Sequence, residues 1–467
     1  MTAPKGHLPS RYTTEGVGSS FHRVFYYAMG LTTEEIHQPH IGVVTSWDDT
    51  VAIHDEVRAI GDRIKERLWA HGLTPREFTT VPGFDGAGSA AAADPLLVSR
   101  ELISDSCELT VRGHCYDALV AVGASCLSLA GLAMAGCRLD VPTVIVGHID
   151  RSDVDGLAMA AALAELGLGA DSVASGEPGS SRIRDTAIGA SDALADRLAR
   201  RERPRAGITQ IALEQAASTL GVYGASSEPF LHLLALANEA GVTVSLRDLL
   251  RSADTAAAAD ATTRSSLLDG TPAGATPNKK RRYAYLEDGL APAGSICIAP
   301  DGSTQVTGRA RVFTSEDAAC RHVDHSMTAD DVIVLIGQGP RGGPGMRTCR
   351  RLIEACERAT DRTVVVVTDG LAPGGDRTIV VACVTPEAVD GGPLRDVADG
   401  DQISIDVTSA SLEWRSAGLA EPPGGTLAAT DEIPPTLWKY VQLVGPASEG
   451  ALTHPGATAE NHCYADL

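Results

Sequence analysis

The stretch DALVAVGASCLSLAGLAMAGCRLDVPTVIVG, Asp117–Gly147, decides the fold. Ala118–Val122 is apolar at every position, Cys126–Ala135 is rich in Leu, Ala and Met, and Val141–Gly147 is again wholly apolar. A strand with no polar face has no side to give to water, so both faces must be covered. That is the condition of a parallel sheet between layers of helices. The reading strand, helix, strand also puts Cys126 at a strand-to-helix turn, beyond the carboxyl end of the first strand.

The same texture extends in both directions. His40–Ser46 predicts a buried strand, followed by a helix through Ile53–His71 with Val57, Ile60, Ile64 and Leu68 at helical spacing. Phe78–Val81 predicts a short strand that empties into the Gly-rich turn Gly83–Gly88, and a helix follows from about Pro95 to Arg112. Downstream, Leu157–Leu168, Ser181–Arg201, Ile211–Leu220 and Phe230–Ala240 read as helices. Pro229 sits just inside the last of them, behind the capping residues Ser226 and Ser227.

Ser252–Arg282 differs in composition. It is dominated by Ala, Thr, Asp, Gly and Pro, and reads as a flexible linker spanning 252–282. From Tyr283 to about 445 short β runs alternate with Gly/Pro turns and one helix at Thr348–Ala359, which predicts a mostly-β, barrel-like domain. Residues 446–467 read as a C-terminal tail. The fold class expected is therefore α/β, with an N-terminal parallel sheet sandwiched by helices over 1–251 and a second, mostly-β domain.

Composition narrows the function. The 467 residues hold 39 Lys and Arg against 60 Asp and Glu, a formal net charge of −21. A surface this acidic repels a phosphate backbone, so nucleic acid is not an expected partner. No apolar run reaches the ~20 residues needed to span a bilayer, and the N-terminus lacks a signal-peptide core, so a cytoplasmic protein with no membrane partner is expected. Ten cysteines include no CxxC pair, and their spacing matches neither a zinc nor a ferredoxin pattern. Buried free thiols are the plain expectation for most of them.

Two glycine-rich loops stand out in the second domain, GQGPRGGPGM at Gly337–Met346 and TDGLAPGG at Thr368–Gly375. Such loops present backbone N–H groups to an anion or let a ligand approach the backbone closely. With IGVVTSWDD (Ile41–Asp49), GFDG (Gly83–Gly86), SRELISDS (Ser99–Ser106), the Asp117–Gly147 stretch and GASSEPFLHLLALANEAGV (Gly224–Val242), they form an ordered set of segments that resembles the dihydroxy-acid and sugar-acid dehydratase family nearly end to end.

The resemblance implies an iron–sulfur cluster on three cysteines, a magnesium ion on carboxylates and a modified lysine, and a serine base. Position by position, most of these are absent. The first cluster cysteine falls near Ala52–His54 and the second is Cys126, while the third lies in a segment missing between Asp150 and Gly156. Asp85 is retained, but Leu127, Ser128 and Thr348 replace the other magnesium residues, and Pro373 stands for the serine. The expectation is a family member with no inorganic cofactor: the cluster absent, Mg²⁺ not expected, and no metal ligands assigned.

The candidate catalytic residues are then Asp85, Cys126, His54, His148 and Asp150. Cys126 at a helix N-terminus favours a thiolate, or is a relic packed in a dry pocket. His148 and Asp150 follow the Val141–Gly147 strand at its carboxyl end, where open α/β sheets place ligands. For substrate binding, Ser226 and Ser227 cap a helix and face a carboxylate at its N-terminus. Arg341, Gly343, Thr368 and Asp369 belong to the two loops. The two histidines of His322–His325 read as surface residues, and His114 as structural. Together these residues point to a lyase, cyclase or isomerase step on a small carboxylate-bearing substrate in specialised biosynthesis. The alternative is a non-catalytic homologue that binds a ligand or a partner subunit. By the resemblance, the chain is a homodimer.

Overall fold

Five parallel strands make the N-terminal sheet: β1 (His40–Thr45), β2 (Thr74–Thr79), β3 (Ala118–Gly123), β4 (Thr143–Ile149) and β5 (Val173–Ala174), in the order β2-β1-β3-β4-β5. In the computed structural model, residues 8–47, 53–82, 96–170, 173–174, 181–259, 280–303, 305–418, 420–423 and 433–456 are described. β1, β3 and β4 are buried along their whole length, as their apolar sequences require. β2 begins at Thr74 rather than Phe78. It pairs only with β1, and an edge strand accommodates Pro75, which has no N–H to give a second neighbour.

Helices cover both faces. Val57, Ile60, Ile64 and Leu68 of the Ile53–Ala70 helix pack with Ile183, Ala187, Leu194 and Leu198 of the Ser181–Arg200 helix against Val43, Val120, Val122 and Val146. On the other face, the helices Leu96–His114, Cys126–Leu139, Val154–Glu165, Gln210–Tyr223 and Glu228–Ala240 share one core with Leu119, Ala121 and Ile145. The strand order reverses between β1 and β3. Cys126 follows β3 at this switch point, where doubly wound sheets open a crevice at their carboxyl edge.

The second sheet has eight strands: β6 (Arg281–Leu286), β7 (Ser295–Pro300), β8 (Gln305–Phe313), β9 (Asp331–Leu335), β10 (Val364–Thr368), β11 (Thr378–Ala382), β12 (Gln402–Asp406) and β13 (Ser411–Arg415). Their order, β13-β12-β8-β9-β10-β11-β7-β6, curls into a nearly closed, barrel-like sheet. Its centre, β8 to β11, is parallel and its flanks are antiparallel. The parallel crossovers need helices, so Glu316–His325 joins the expected helix, which spans Arg350–Ala359.

The Leu246–Ala258 helix carries the N-terminal fold past 251 and into the expected linker, of which 260–279 lie outside the described residues. The apolar core is continuous between the domains, since Tyr283, Ile296, Ile333 and Leu352 belong to the same cluster as Leu119 and Phe230. The expected tail is packed structure at its start: Ala447, Ala451 and Leu452 are buried in that core.

The two glycine-rich loops are closed by the protein's own carboxylates. Asp369 accepts hydrogen bonds from the N–H groups of Gly337 (3.1 Å), Gln338 (2.8 Å) and Ala388 (3.1 Å). Glu387 accepts from Arg341 N (3.0 Å) and Gly342 N (2.9 Å). A Cβ at Gly339 would sit 2.4 Å from a Glu387 oxygen, so only glycine lets the carboxylate in. Burial pushes Glu387 up to about 7, with the charge of Asp369 adding to it and the loop N–H groups opposing it.

Ser227 ties the domains together. Its Oγ accepts from Ala372 N (3.0 Å) and donates to Ala372 O (3.2 Å), both buried. Ser227→Ala leaves the Ala372 N–H unanswered, at a cost of about 1–2 kcal/mol in chemical denaturation. For Glu387, the folded value lies above the unfolded value of about 4.3. The stability it contributes is therefore full below pH ~4.3 and lost as pH rises through about 7. Glu387→Gln removes that slope, so the stability gap between wild type and variant narrows from pH 5 to pH 8; an unchanged gap contradicts this.

Candidate active site

Two helix starts meet at the switch point. Ser125 caps the Cys126–Leu139 helix through a capping box with Ser128, and Cys126 is its first residue. The Glu228–Ala240 helix begins where Ser226 Oγ accepts from Glu228 N (3.2 Å), with Pro229 in its first turn. Glu228 and His232, four residues apart, share one face of this helix. Cys126 Sγ, a Glu228 oxygen and a His232 nitrogen lie within 4.8 Å of one another. Cys126 is 4% exposed, His232 0%, and the Glu228 side chain 17%.

The polarity of the group follows from Arg100, which is fully buried on the Leu96–His114 helix. A guanidinium only donates, so its contact with His232 Nδ1 (3.3 Å) makes Nδ1 the acceptor. Burial first, and the Arg100 charge second, hold His232 well below its ordinary value. The neutral ring then carries its proton on Nε2, which donates to Glu228 Oε1 (3.2 Å). Burial raises Glu228 to about 7, and Asp155 adds to the rise while Arg350 and Arg100 oppose it. Asp155 in turn accepts from Ser226 N (2.8 Å).

Of the residues singled out in the sequence, Cys126 stands in this group. The side chains of His54 and Asp85 lie outside the described residues. His148 is buried against Glu56, with the ring held below its ordinary value by burial and raised by the carboxylate. Asp150 is exposed and turned onto Ser152, whose hydroxyl (2.6 Å) and N–H (2.8 Å) keep it below the usual carboxylate range. Neither faces the Cys126 group through any contact among the described residues.

The loop residues and serines make contacts within the chain. Ser227 docks Ala372, as above. Thr368 Oγ1 accepts from Gly370 N (3.0 Å), and Asp369 holds three loop amides. A Cβ on Gly343 would meet Gln338 O at 2.8 Å. Arg341 donates to Val444 O (3.0 and 3.2 Å) and pairs with Asp390 (3.0 Å). Four N–H groups of the first loop are met by carboxylates of the chain itself. A separate cleft of about 350 Å³ in the C-terminal domain is lined in part by Asp324, His325, Asp331 and Arg362, and includes none of the Cys126 group.

Glu228 and His232 were missed because GASSEPFLHLLALANEAGV reads as a capped, apolar helix. The signal was a carboxylate and an imidazole four apart at the start of a largely apolar helix.

As donors, a thiolate, a carboxylate and an imidazole suit a borderline divalent cation. The lone pairs on offer are Cys126 Sγ and the Glu228 oxygen that does not receive His232. An iron–sulfur cluster draws on several thiolates, of which this group supplies Cys126.

The chain matches the dihydroxy-acid/6-phosphogluconate dehydratase N-terminal model over residues 38–151 and 156–258 and the corresponding C-terminal model over 272–451. It is 33% identical to the dihydroxy-acid dehydratase of Parvibaculum lavamentivorans, with 100% of this chain and 99% of the relative covered. It is likewise 33% identical to that of Dinoroseobacter shibae, over 99% of each. Dihydroxy-acid dehydratase 2 of Bradyrhizobium diazoefficiens is 32% identical, again over 99% of each. The first of these alignments spans 579 positions against 467 residues, so the relative carries segments this chain lacks. Among the described residues, no helix is long and apolar enough to cross a membrane.

These findings correct the expectation of no inorganic cofactor. Full-length similarity to enzymes named as dihydroxy-acid dehydratases, together with a buried group of metal-capable donors around Cys126, does not support a site emptied of its inorganic chemistry. From strand order, paired glycine loops and matches in both domains, the chain belongs to the dihydroxy-acid/6-phosphogluconate dehydratase family and is a carbon–oxygen lyase-type enzyme.

Proposed function

We propose that this protein removes water from a small hydroxylated carboxylic acid at the Cys126–Glu228–His232 group, yielding a 2-oxo acid. The observation that carries the reading is the convergence of these three side chains at two helix N-termini beside the sheet's switch point. Helix N-termini favour an anion, and Arg350 adds a positive charge that acts on Glu228, so a substrate carboxylate is stabilised there. The relatives' name specifies a dihydroxy acid, which is the substrate class this reading takes.

The proton chemistry falls to Glu228. Its carboxylate takes the proton α to the substrate carboxyl; the carbon–oxygen bond at the β carbon breaks, and the proton leaves with the departing hydroxide as water. The enol left behind ketonises. His232 keeps one carboxylate oxygen occupied through Nε2–H, so the other faces the substrate. Cys126 would hold an inorganic centre, which when bound supplies Lewis acidity to the departing hydroxyl.

We further propose a cytoplasmic homodimer. The apolar face of the Ser20–Ala28 helix is bare in the single chain, with Phe21 68% and Phe25 53% exposed and packed edge to face. A contiguous patch of this kind favours a second copy.

Incubation with 2,3-dihydroxycarboxylates and aldonic acids, with 2-oxo acid trapped by a carbonyl reagent, tests the activity. Glu228→Gln lowers kcat by roughly 10²- to 10⁴-fold without unfolding the protein; a variant as fast as wild type removes Glu228 from the chemistry. For the dimer, F21E/F25E halves the mass seen by light scattering, and an unchanged mass places the interface elsewhere.

A further inference from the structure

Arg100 is the largest side chain buried without any exposure. Its Nε and NH2 groups donate to Glu101 Oε1 (3.2 and 2.9 Å), and NH2 also donates to Gly450 O (2.9 Å) and Ala451 O (2.8 Å). Those two carbonyls come from a strap at the far end of the chain. Gly450 has φ +88° and Ala451 φ +50°, so a non-glycine residue stands in the left-handed region, a cost of roughly 1–2 kcal/mol. The strap also presses on the Glu228–Ala240 helix: a Cβ at Gly450 would meet Ala235 N at 2.7 Å. It is pinned further along by Thr453 on Glu101 (2.9 Å) and His454 on Glu239 (3.1 Å). A strained turn held from several sides indicates a geometry that something else depends on.

We infer that Arg100, set by the strap carbonyls of Gly450 and Ala451, is a positioning residue: it fixes the His232 tautomer so that Nε2–H engages one oxygen of Glu228 and leaves the other for the substrate. The C-terminal strap is thereby part of the active site although it touches none of the reacting atoms. With Nδ1 protonated instead, His232 would offer a lone pair to Glu228 and repel its carboxylate, freeing the side chain to rotate. The inference rests on the proposed role of Glu228, but its structural half stands apart from turnover.

The test uses full-length protein labelled with ¹⁵N-histidine, with the His232 ring signals identified by their loss in H232Q. Long-range ¹H–¹⁵N spectra of the wild type show the Nε2–H tautomer, whereas R100K and, through the displaced strap, G450A show mixed tautomers. Both variants lower kcat by roughly 10- to 100-fold with KM changed less than threefold, as a misplaced catalytic group does. An Nδ1–H tautomer in the wild type, or Nε2–H retained in both variants, overturns the inference. If R100K does not fold, the wild-type and G450A spectra decide. If the wild type turns over no hydroxy acid yet shows the expected tautomers, the positioning stands and the proposed reaction fails.

Discussion

A guanidinium buried without exposure is tolerated only where its charge is neutralised and its N–H groups are answered. Arg100 meets that condition by drawing on three parts of the chain: Glu101 beside it, His232 on another helix, and two neighbouring carbonyls 350 and 351 residues away. Moving any of these partners leaves a charged donor unanswered in the core. The same constraint therefore fixes the packing of the Leu96–His114 helix, the path of the chain end and the orientation of the group at the switch point. A parallel network repeats the device nearby, where Arg138 bridges Glu239 (2.6 Å) and Asp105 (2.6 Å).

The second domain supports the helices of the first. Its glycine-rich loops wrap around Asp369 and Glu387, and one of them reaches back through Ala372 to Ser227 at the start of the Glu228 helix. Leu97 N donates to Gly345 O (3.0 Å), so the helix bearing Arg100 is anchored to the other loop. Both loops thus brace the helix that carries Glu228 and His232 and the helix that carries Arg100. The continuous apolar core between the domains makes this bracing rigid.

The sheet was legible because β1, β3 and β4 are mostly apolar on both faces, a pattern that two covered faces explain. Cys126 was legible for the same reason, since its place follows from the end of β3 and the start of a helix. What sequence could not convey is which side chains are already spoken for. His148 sits in an apolar strand, and its partner Glu56 comes from a different helix. Asp369 and the glycine loop look like a ligand cradle until the loop amides are seen to close on the carboxylate itself. Glu228 was hidden in a helix start whose caps accounted for its neighbours, and its meaning depends on Arg100, more than a hundred residues earlier. The cofactor expectation failed on a related point. Counting lost ligands along the chain does not count a donor, such as the Glu228 carboxylate, that folding brings to the surviving one.

The central claim, that the reacting centre lies between the Cys126 and Glu228 helix starts, is most directly tested by a crystal structure of the protein soaked with an unreactive hydroxy acid. The account predicts the ligand within hydrogen-bond distance of the Glu228 carboxylate, its own carboxyl at the helix N-termini. Ligand bound instead in the C-terminal cleft lined by His325 and Arg362, with the Glu228 group untouched, would contradict it.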